Sequence, residues 1–113
     1  PKETEEEKSY RSKIIREKTI EAMKAPLNLS KAALDFYNNI EFAVEYGNKN
    51  LTSDAIVSAI LLHSAIESAV VNVFVNYNSL GNKEGYENIP NECREIIAES
   101  LSKKTEIVKA FGI

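Results

Sequence analysis

GNKNLTSDAIVSAILLHSAIESAVVNVFVNYN, residues 47–78, contains the longest apolar segment of the chain. Between residues 55 and 77 the polar side chains are those of Ser58, His63, Ser64, Glu67, Ser68, Asn72 and Asn76. No Gly or Pro follows Gly47 until Gly81, so the segment predicts one helix of about 28 residues, from Ser53 to Leu80 and roughly 42 Å long. A helix that is apolar around most of its circumference is normally surrounded by others. We therefore expect the rest of the chain to pack around this helix.

The polar residues of this helix fall on a narrow stripe. At 100° per residue, Asp54, Ser58, Asn72 and Asn76 lie on the same side, together with the small residues between them. Polar groups on so apolar a helix need partners, because an unpaired buried polar group costs about 1–3 kcal/mol. Either neighbouring helices supply those partners, or the stripe lines a polar pocket.

His63 and Glu67 form an i,i+4 pair nearly opposite that stripe. The histidine side chain can act as a general base. A single His on an apolar helix, however, is more often a hydrogen-bonded core or interface residue. Cys93 lies on the apolar stripe of the last predicted helix and is interpreted as a small core residue rather than a reactive thiol.

Composition narrows the classes of function. The chain has 113 residues, with 14 basic and 17 acidic side chains and a net charge of −3, and no segment forms the basic patch that nucleic-acid binding requires. One Cys and one His exclude an internal disulfide and a Cys/His zinc site within one chain, so we expect no metal and a reducing, cytoplasmic location. The N-terminus carries no signal-peptide pattern and no initiator Met, which suggests a processed product or a piece of a longer chain.

The central apolar segment is long enough to cross a bilayer. Its polar residues, Glu67 and His63 among them, argue against a membrane span, and no basic cluster flanks the segment. The sequence therefore predicts no membrane association.

Helices are predicted on both sides of the central segment. Thr4 and Glu7 form a capping-box pattern that begins the first helix. Pro26 marks either a new helix or a kink in a continuous one, and we interpret a second helix from Leu27 to Tyr46. Gly47 should end that helix in the left-handed conformation.

A last amphipathic helix begins near Pro90. Four helical segments joined by short connections predict an all-α, up-and-down antiparallel bundle with one long buried central helix. Three neighbours of this size cover that helix poorly. We therefore expect additional N-terminal helices, a dimer partner, or both to complete the bundle.

At these residues the sequence resembles a known family. GNKNLTSDAIVSA, followed eighteen residues after Asp54 by NVFVNYNSL, is similar to the G-N-x-N-x-x-S/T-D turn and N-V-x-I-N helix of the formiminotetrahydrofolate cyclodeaminase / methenyltetrahydrofolate cyclohydrolase family. AMKAPLNLSKAAL resembles the Pro-containing helix of that family, and PKETEEEKSYR the link that precedes it. Where the family often has Gly, this chain has Ser68.

The resemblance implies that residues 1–113 are the C-terminal part of a single cyclodeaminase-like helical domain. It carries over Asn50, Asp54, Asn72 and Asn76 as residues that line or support a folate pocket within a homodimer. The principal acid/base is expected upstream of residue 1.

The implied chemistry takes place on a tetrahydrofolate derivative as the substrate, with no metal. In the cyclodeaminase reaction N10 attacks the N5-formimino carbon, ammonia leaves and 5,10-methenyltetrahydrofolate forms. In the cyclohydrolase reaction water adds to the methenyl bridge. Asp54 would orient or stabilise the cation. The alternative interpretation is a non-catalytic helical oligomerisation or interaction module, in which the polar stripe only joins helices.

Overall fold

The computed structural model describes residues 4–112, apart from the side chain of Leu51. It contains three α-helices: α1 (Glu5–Tyr46), α2 (Thr52–Ser79) and α3 (Ile89–Lys109), with a 3-10 turn at Lys49–Leu51 directly before α2. Short connections make successive helices run in opposite directions, and residues 4–112 contain no strand. The predicted all-α class is confirmed, and the bounds of α2 lie within one residue of the prediction.

The chain enters α1 through the capping box that the sequence predicts. The Thr4 hydroxyl accepts a hydrogen bond from the Glu7 backbone N–H at 3.1 Å. The Glu7 side chain accepts in return from the Thr4 backbone N–H. Two of the N–H groups that a helix start leaves without a helical partner are thereby satisfied.

Pro26 lies inside α1 rather than at the start of a separate helix. The prediction of four helical segments is therefore wrong, and the alternative of one continuous helix is right. α1 has 42 residues and sets the long dimension of a molecule that measures 68 × 22 × 18 Å. A contact between Asn76 of α2 and the Ala22 carbonyl helps the helix to continue through the proline.

Gly47 ends α1, as predicted, but for a different physical reason. Its φ of −83° and ψ of 171° are extended, so no left-handed conformation is involved. Its N–H donates to the Ala43 carbonyl at 2.8 Å, and a Cβ at Gly47 would lie 2.2 Å from that oxygen. Any larger residue would clash with the Ala43 carbonyl oxygen, so glycine is required at position 47.

The core lies where the three helices meet. Its members are buried aliphatic and sulfur-containing side chains with one tyrosine: Met23, Leu27, Tyr37, Ile40, Ala55, Ala59, Ile66, Val70, Val73, Ile89, Cys93, Ile96 and Ile107. Cys93 is fully buried, which confirms it as a core residue. Two ion pairs, Lys31–Glu92 and Lys103–Glu41, join α1 to α3 at the edge of this core.

α2 is buried along one face only. Ala55, Ala59, Ile66, Val70 and Val73 contribute to the core, whereas large apolar side chains on the opposite face are exposed to solvent. Among the described helices, α2 is long and apolar enough to cross a membrane, and 39% of its most apolar window is buried against the other helices.

Candidate functional site

Asp54 and Ser58 lie in a groove between α2 and α1. Both residues occupy the first two turns of α2, and the α1 side chains that face them include Phe36 and Asn39. The groove has a volume of about 280 Å³, and Ile40, Ala43 and Ala55 complete its lining. The Ser58 hydroxyl donates to the Asp54 backbone carbonyl at 2.8 Å. The site thus combines one carboxylate and one amide with apolar walls, an arrangement suited to a flat, partly polar ring.

Two groove residues are not evident from the sequence alone. Phe36 lies in the helix predicted from Leu27 to Tyr46, and its side chain is 50% exposed and lines the groove. Asn39 lies three residues after Phe36 and four before Ala43. A spacing of three and four residues places Asn39 on the same face of the helix as Phe36 and Ala43. This spacing is the sequence signal that could have identified Asn39 as a groove residue.

Asn50 lies in the 3-10 turn that leads into α2. Its backbone N–H donates to the Asn48 side-chain oxygen at 3.0 Å, which caps the turn. The Asn50 side chain is exposed, one helical turn before Asp54. The turn therefore brings Asn50 to the same end of α2 as the groove.

Asn72 and Asn76 lie at the other end of α2. Eighteen residues separate Asp54 from Asn72, which corresponds to about 27 Å along a helix. Within one chain, the four residues that the family resemblance assigns to a folate pocket form two groups rather than one site. Asn72 is exposed, and its backbone carbonyl accepts a hydrogen bond from Asn76 at 2.9 Å.

Asn76 joins α2 to α1 at the proline. Pro26 has no N–H, so the Ala22 carbonyl four residues earlier lacks its helical hydrogen bond. The Asn76 amide nitrogen lies 3.3 Å from that carbonyl and donates to it. Asn76 therefore replaces the missing donor, which is one reason why α1 continues through Pro26. Its amide nitrogen is occupied by two backbone carbonyls, and its side-chain oxygen remains available.

His63 is the centre of a buried hydrogen-bond chain that links all three helices. Its Nδ1 lies 2.8 Å from the Ser100 hydroxyl of α3, and that hydroxyl lies 2.7 Å from the Tyr37 hydroxyl of α1. Its Nε2 lies 3.1 Å from Glu67 Oε1. Both ring nitrogens of His63 therefore have hydrogen-bond partners. Because Ser100 and Tyr37 are also fully buried, His63 is a satisfied core residue rather than a free base.

The direction of this chain follows from its ends. The Glu67 carboxylate can only accept, so the Nε2 atom of His63 carries the ring proton. In a neutral imidazole, Nδ1 then accepts from the Ser100 O–H, and the Ser100 oxygen accepts from the Tyr37 O–H. Every donor of this hydrogen-bond chain is used once, which satisfies its buried polar groups.

Burial changes the acidity of two core groups. Burial of the Tyr37 hydroxyl raises its pKa, and the hydrogen bond to Ser100 offsets part of that rise. Burial raises the pKa of the Cys93 thiol, and the neighbouring Glu92 adds to the effect. Both groups therefore stay protonated at neutral pH. Among residues 4–112, no group of three or more His, Cys, Asp or Glu side chains is arranged to hold a metal ion.

Comparison with known proteins agrees with the family resemblance. The sequence model of the formiminotransferase-cyclodeaminase family matches residues 1–95. A methenyltetrahydrofolate cyclohydrolase from Methylorubrum extorquens is 32% identical over 100 residues, which cover 88% of this chain and 48% of that protein. The chain thus spans about half the length of the curated relative that it matches. No solved structure matches the chain significantly.

Proposed function

Because the chain belongs to the formiminotransferase-cyclodeaminase family, we propose that it forms part of a folate-dependent one-carbon enzyme whose substrate is a tetrahydrofolate derivative. The observation that carries this proposal is the groove at Asp54, where a carboxylate and an amide face apolar walls. The polar edge of a pterin presents N–H donors and acceptors, and its faces are apolar. The groove offers matching partners for both.

Each groove residue has a proposed role. The exposed ring of Phe36 packs on a face of the pterin, as aromatic rings do on one another. Asp54 and Asn39 hydrogen-bond the ring edge. The methenyl form of the substrate is a cation, so the Asp54 carboxylate also stabilises positive charge near the one-carbon unit.

Two activities are candidates on this site. The family model takes its description from formiminotransferase-cyclodeaminase, which suggests ammonia loss from the formimino substrate to give 5,10-methenyltetrahydrofolate. The Methylorubrum extorquens relative carries the name of a cyclohydrolase, which suggests addition of water to the same methenyl bridge. Both reactions pass through a tetrahedral carbon between N5 and N10, so one pocket can serve either.

The groove is slightly smaller than a typical ligand pocket. Ligand pockets typically enclose about 300–1,000 Å³, whereas this groove has about 280 Å³. In this proposal the groove holds the pterin ring, and the rest of the folate extends beyond it. We propose that a second copy of the chain supplies further walls in a homodimer, and that the principal acid/base comes from sequence upstream of residue 1.

Calorimetric titration with 5-formyltetrahydrofolate tests the proposal. We expect micromolar binding by the parent protein and a loss of about tenfold or more in Asp54→Asn, since a hydrogen bond to a charged group is worth about 1.5–3 kcal/mol. Asp35→Asn is the matched control, because Asp35 is an exposed α1 residue outside the groove.

The outcomes separate the enzyme from the helical-module alternative. Binding that Asp54→Asn weakens and Asp35→Asn does not would support the folate site and lead to the assay of methenyltetrahydrofolate hydrolysis against ammonia release. A folded parent that binds no reduced folate would overturn the proposal and favour a non-catalytic module.

A further inference from the structure

The two walls of the groove differ in the hydrogen bonds that they offer to a ligand. The α2 wall carries Asp54, whose carboxylate only accepts hydrogen bonds. The Ser58 hydroxyl on the same wall donates its proton to the Asp54 backbone carbonyl at 2.8 Å. The α1 wall carries Asn39, whose side-chain amide has two N–H donors. The groove therefore presents a pure acceptor on one wall and a donor on the other.

Both polar side chains keep their hydrogen-bonding groups available. Within the described part of the chain, neither the Asn39 amide nor the Asp54 carboxylate forms a hydrogen bond or ion pair with another residue. Both side chains are exposed, whereas the neighbouring groove residues Ile40 and Ala55 are only 4% and 8% exposed. A flat ligand in the groove would therefore contact apolar side chains with its face and the two polar groups with its edge.

The polar edge of a pterin has a fixed order of hydrogen-bonding groups. The 2-amino group and N3–H are adjacent donors, and the C4 oxygen beside them is an acceptor. A carboxylate accepts two parallel N–H donors in a bidentate pair, as it does from a guanidinium group. An amide N–H suits the remaining oxygen. One carboxylate and one amide are thus enough to satisfy the whole edge.

From this match we propose that the pterin lies across the groove, with its 2-amino group and N3–H on Asp54 and its C4 oxygen on Asn39. The assignment rests on the proposed function, and it makes Asn39 the residue that reads position 4 of the ring. The reverse orientation would place the C4 oxygen against the Asp54 carboxylate. These two groups are both acceptors and repel each other, so the reverse orientation is disfavoured.

Replacing the amide by an acceptor of the same size tests the role of Asn39. Asn39→Asp puts a carboxylate against the C4 oxygen and should weaken the binding of 5-formyltetrahydrofolate by about tenfold or more, because a hydrogen bond is lost and a repulsion is added. The 4-amino analogue of the same folate presents a donor at position 4, so its affinity should hold or rise. The ratio of the two dissociation constants, measured by calorimetric titration, should therefore change by about tenfold or more.

Asn38→Asp is the matched control for this variant. Asn38 is the neighbouring exposed asparagine of α1 and does not line the groove. The control makes the same change in charge without facing the ligand, so it should leave the ratio of dissociation constants near that of the parent. It thereby separates a direct contact with position 4 from a general repulsion of the folate's own carboxylates. Circular dichroism confirms that each variant is folded.

The amino group at position 2 gives a second readout, on the opposite wall. The parent should bind 5-formyltetrahydrofolate about tenfold more tightly than the analogue with hydrogen in place of the 2-amino group, because that analogue loses a hydrogen bond to a charged acceptor. In Asp54→Asn this preference should fall to about threefold or less, since a neutral amide oxygen replaces the carboxylate. Asn39→Ala should keep the preference of the parent.

The outcomes separate this assignment from the proposed function. Equal shifts of the position 4 ratio in Asn39→Asp and Asn38→Asp would overturn the assignment of Asn39. Tighter binding of 5-formyltetrahydrofolate by Asn39→Asp would also overturn it, because the reverse orientation requires that result. Either result leaves the proposed function standing if Asp54→Asn still weakens folate binding, whereas a folded parent that binds no reduced folate would overturn both.

Discussion

Asn76 is expected to stabilise α1 by about 1 kcal/mol through the backbone carbonyl that Pro26 leaves without a donor. The geometry is a 3.3 Å contact from the Asn76 amide to the Ala22 carbonyl. A net hydrogen bond contributes about 0.5–1.5 kcal/mol, and orphaning a buried acceptor costs about 1–3 kcal/mol. Ala22 is exposed, so water can reach its carbonyl, and the lower range applies to Asn76→Ala.

A double-mutant cycle with Pro26→Ala isolates this contact. Pro26→Ala restores the backbone N–H that belongs opposite the Ala22 carbonyl and removes a residue that costs about 3 kcal/mol inside a helix. In that background the Asn76 donor is redundant. Asn76→Ala should then change the free energy of unfolding by only a few tenths of a kcal/mol, so the coupling energy is about 1 kcal/mol.

Urea unfolding followed by far-UV circular dichroism measures all four corners of the cycle. With a urea dependence of about 2 kcal/mol per M, 1 kcal/mol shifts the midpoint by about 0.5 M. Asn72→Ala is the control, since Asn72 is an exposed asparagine one turn earlier on the same helix and should shift the midpoint little.

An equal cost of Asn76→Ala in both backgrounds would refute this reasoning, because the contact with α1 would then not replace the proline's missing donor. Folate affinity in the double variant adds a further distinction. If Asn76 acts only by holding α1, restoring the helix with Pro26→Ala should also restore binding. If Asn76 instead contacts the folate directly, the double variant should still bind folate more weakly than the parent.

The buried hydrogen-bond chain supports two further predictions. Ser100→Ala leaves the Tyr37 O–H and His63 Nδ1 without partners and should lower the free energy of unfolding by about 2–4 kcal/mol; a variant as stable as the parent in urea would contradict the assigned chain. Because the pKa of Tyr37 is raised by burial, the folded state keeps its proton above about pH 10, where an unfolded tyrosine releases it. Stability should therefore fall as pH rises past that value. Tyr37→Phe should reduce this alkaline loss in pH-dependent unfolding, whereas Tyr10→Phe, which alters a 68% exposed ring, should leave it unchanged.

Local signals predicted the helices, and they succeeded where the deciding contacts are close in sequence. The Thr4 capping box, the end of α1 at Gly47 and the His63–Glu67 pair each involve residues within four positions of one another. Apolar periodicity placed Cys93 in the core for the same reason. Such contacts follow from helix geometry and need no knowledge of the tertiary fold.

Contacts between distant residues decided the features that the sequence did not reveal. The donor that lets α1 continue through Pro26 comes from a residue 54 positions away from Ala22. The Ser100 partner of His63 lies 37 positions along the chain. The groove depends on how α1 and α2 align, so Asn39 could be placed on a helical face but not opposite Asp54.

The apolar circumference of α2 explains why the sequence favoured a fully surrounded helix. One face packs against α1 and α3 in the core, and a second carries Asp54 and Ser58 into the groove. A third face, which carries Val57, Leu61, Val71 and Val75, is exposed. Hydropathy alone does not distinguish the buried apolar face from the exposed one, because both carry the same kinds of side chain. The difference lies in the contacts with α1 and α3, which involve residues far from α2 in the sequence and are therefore not encoded in its periodicity.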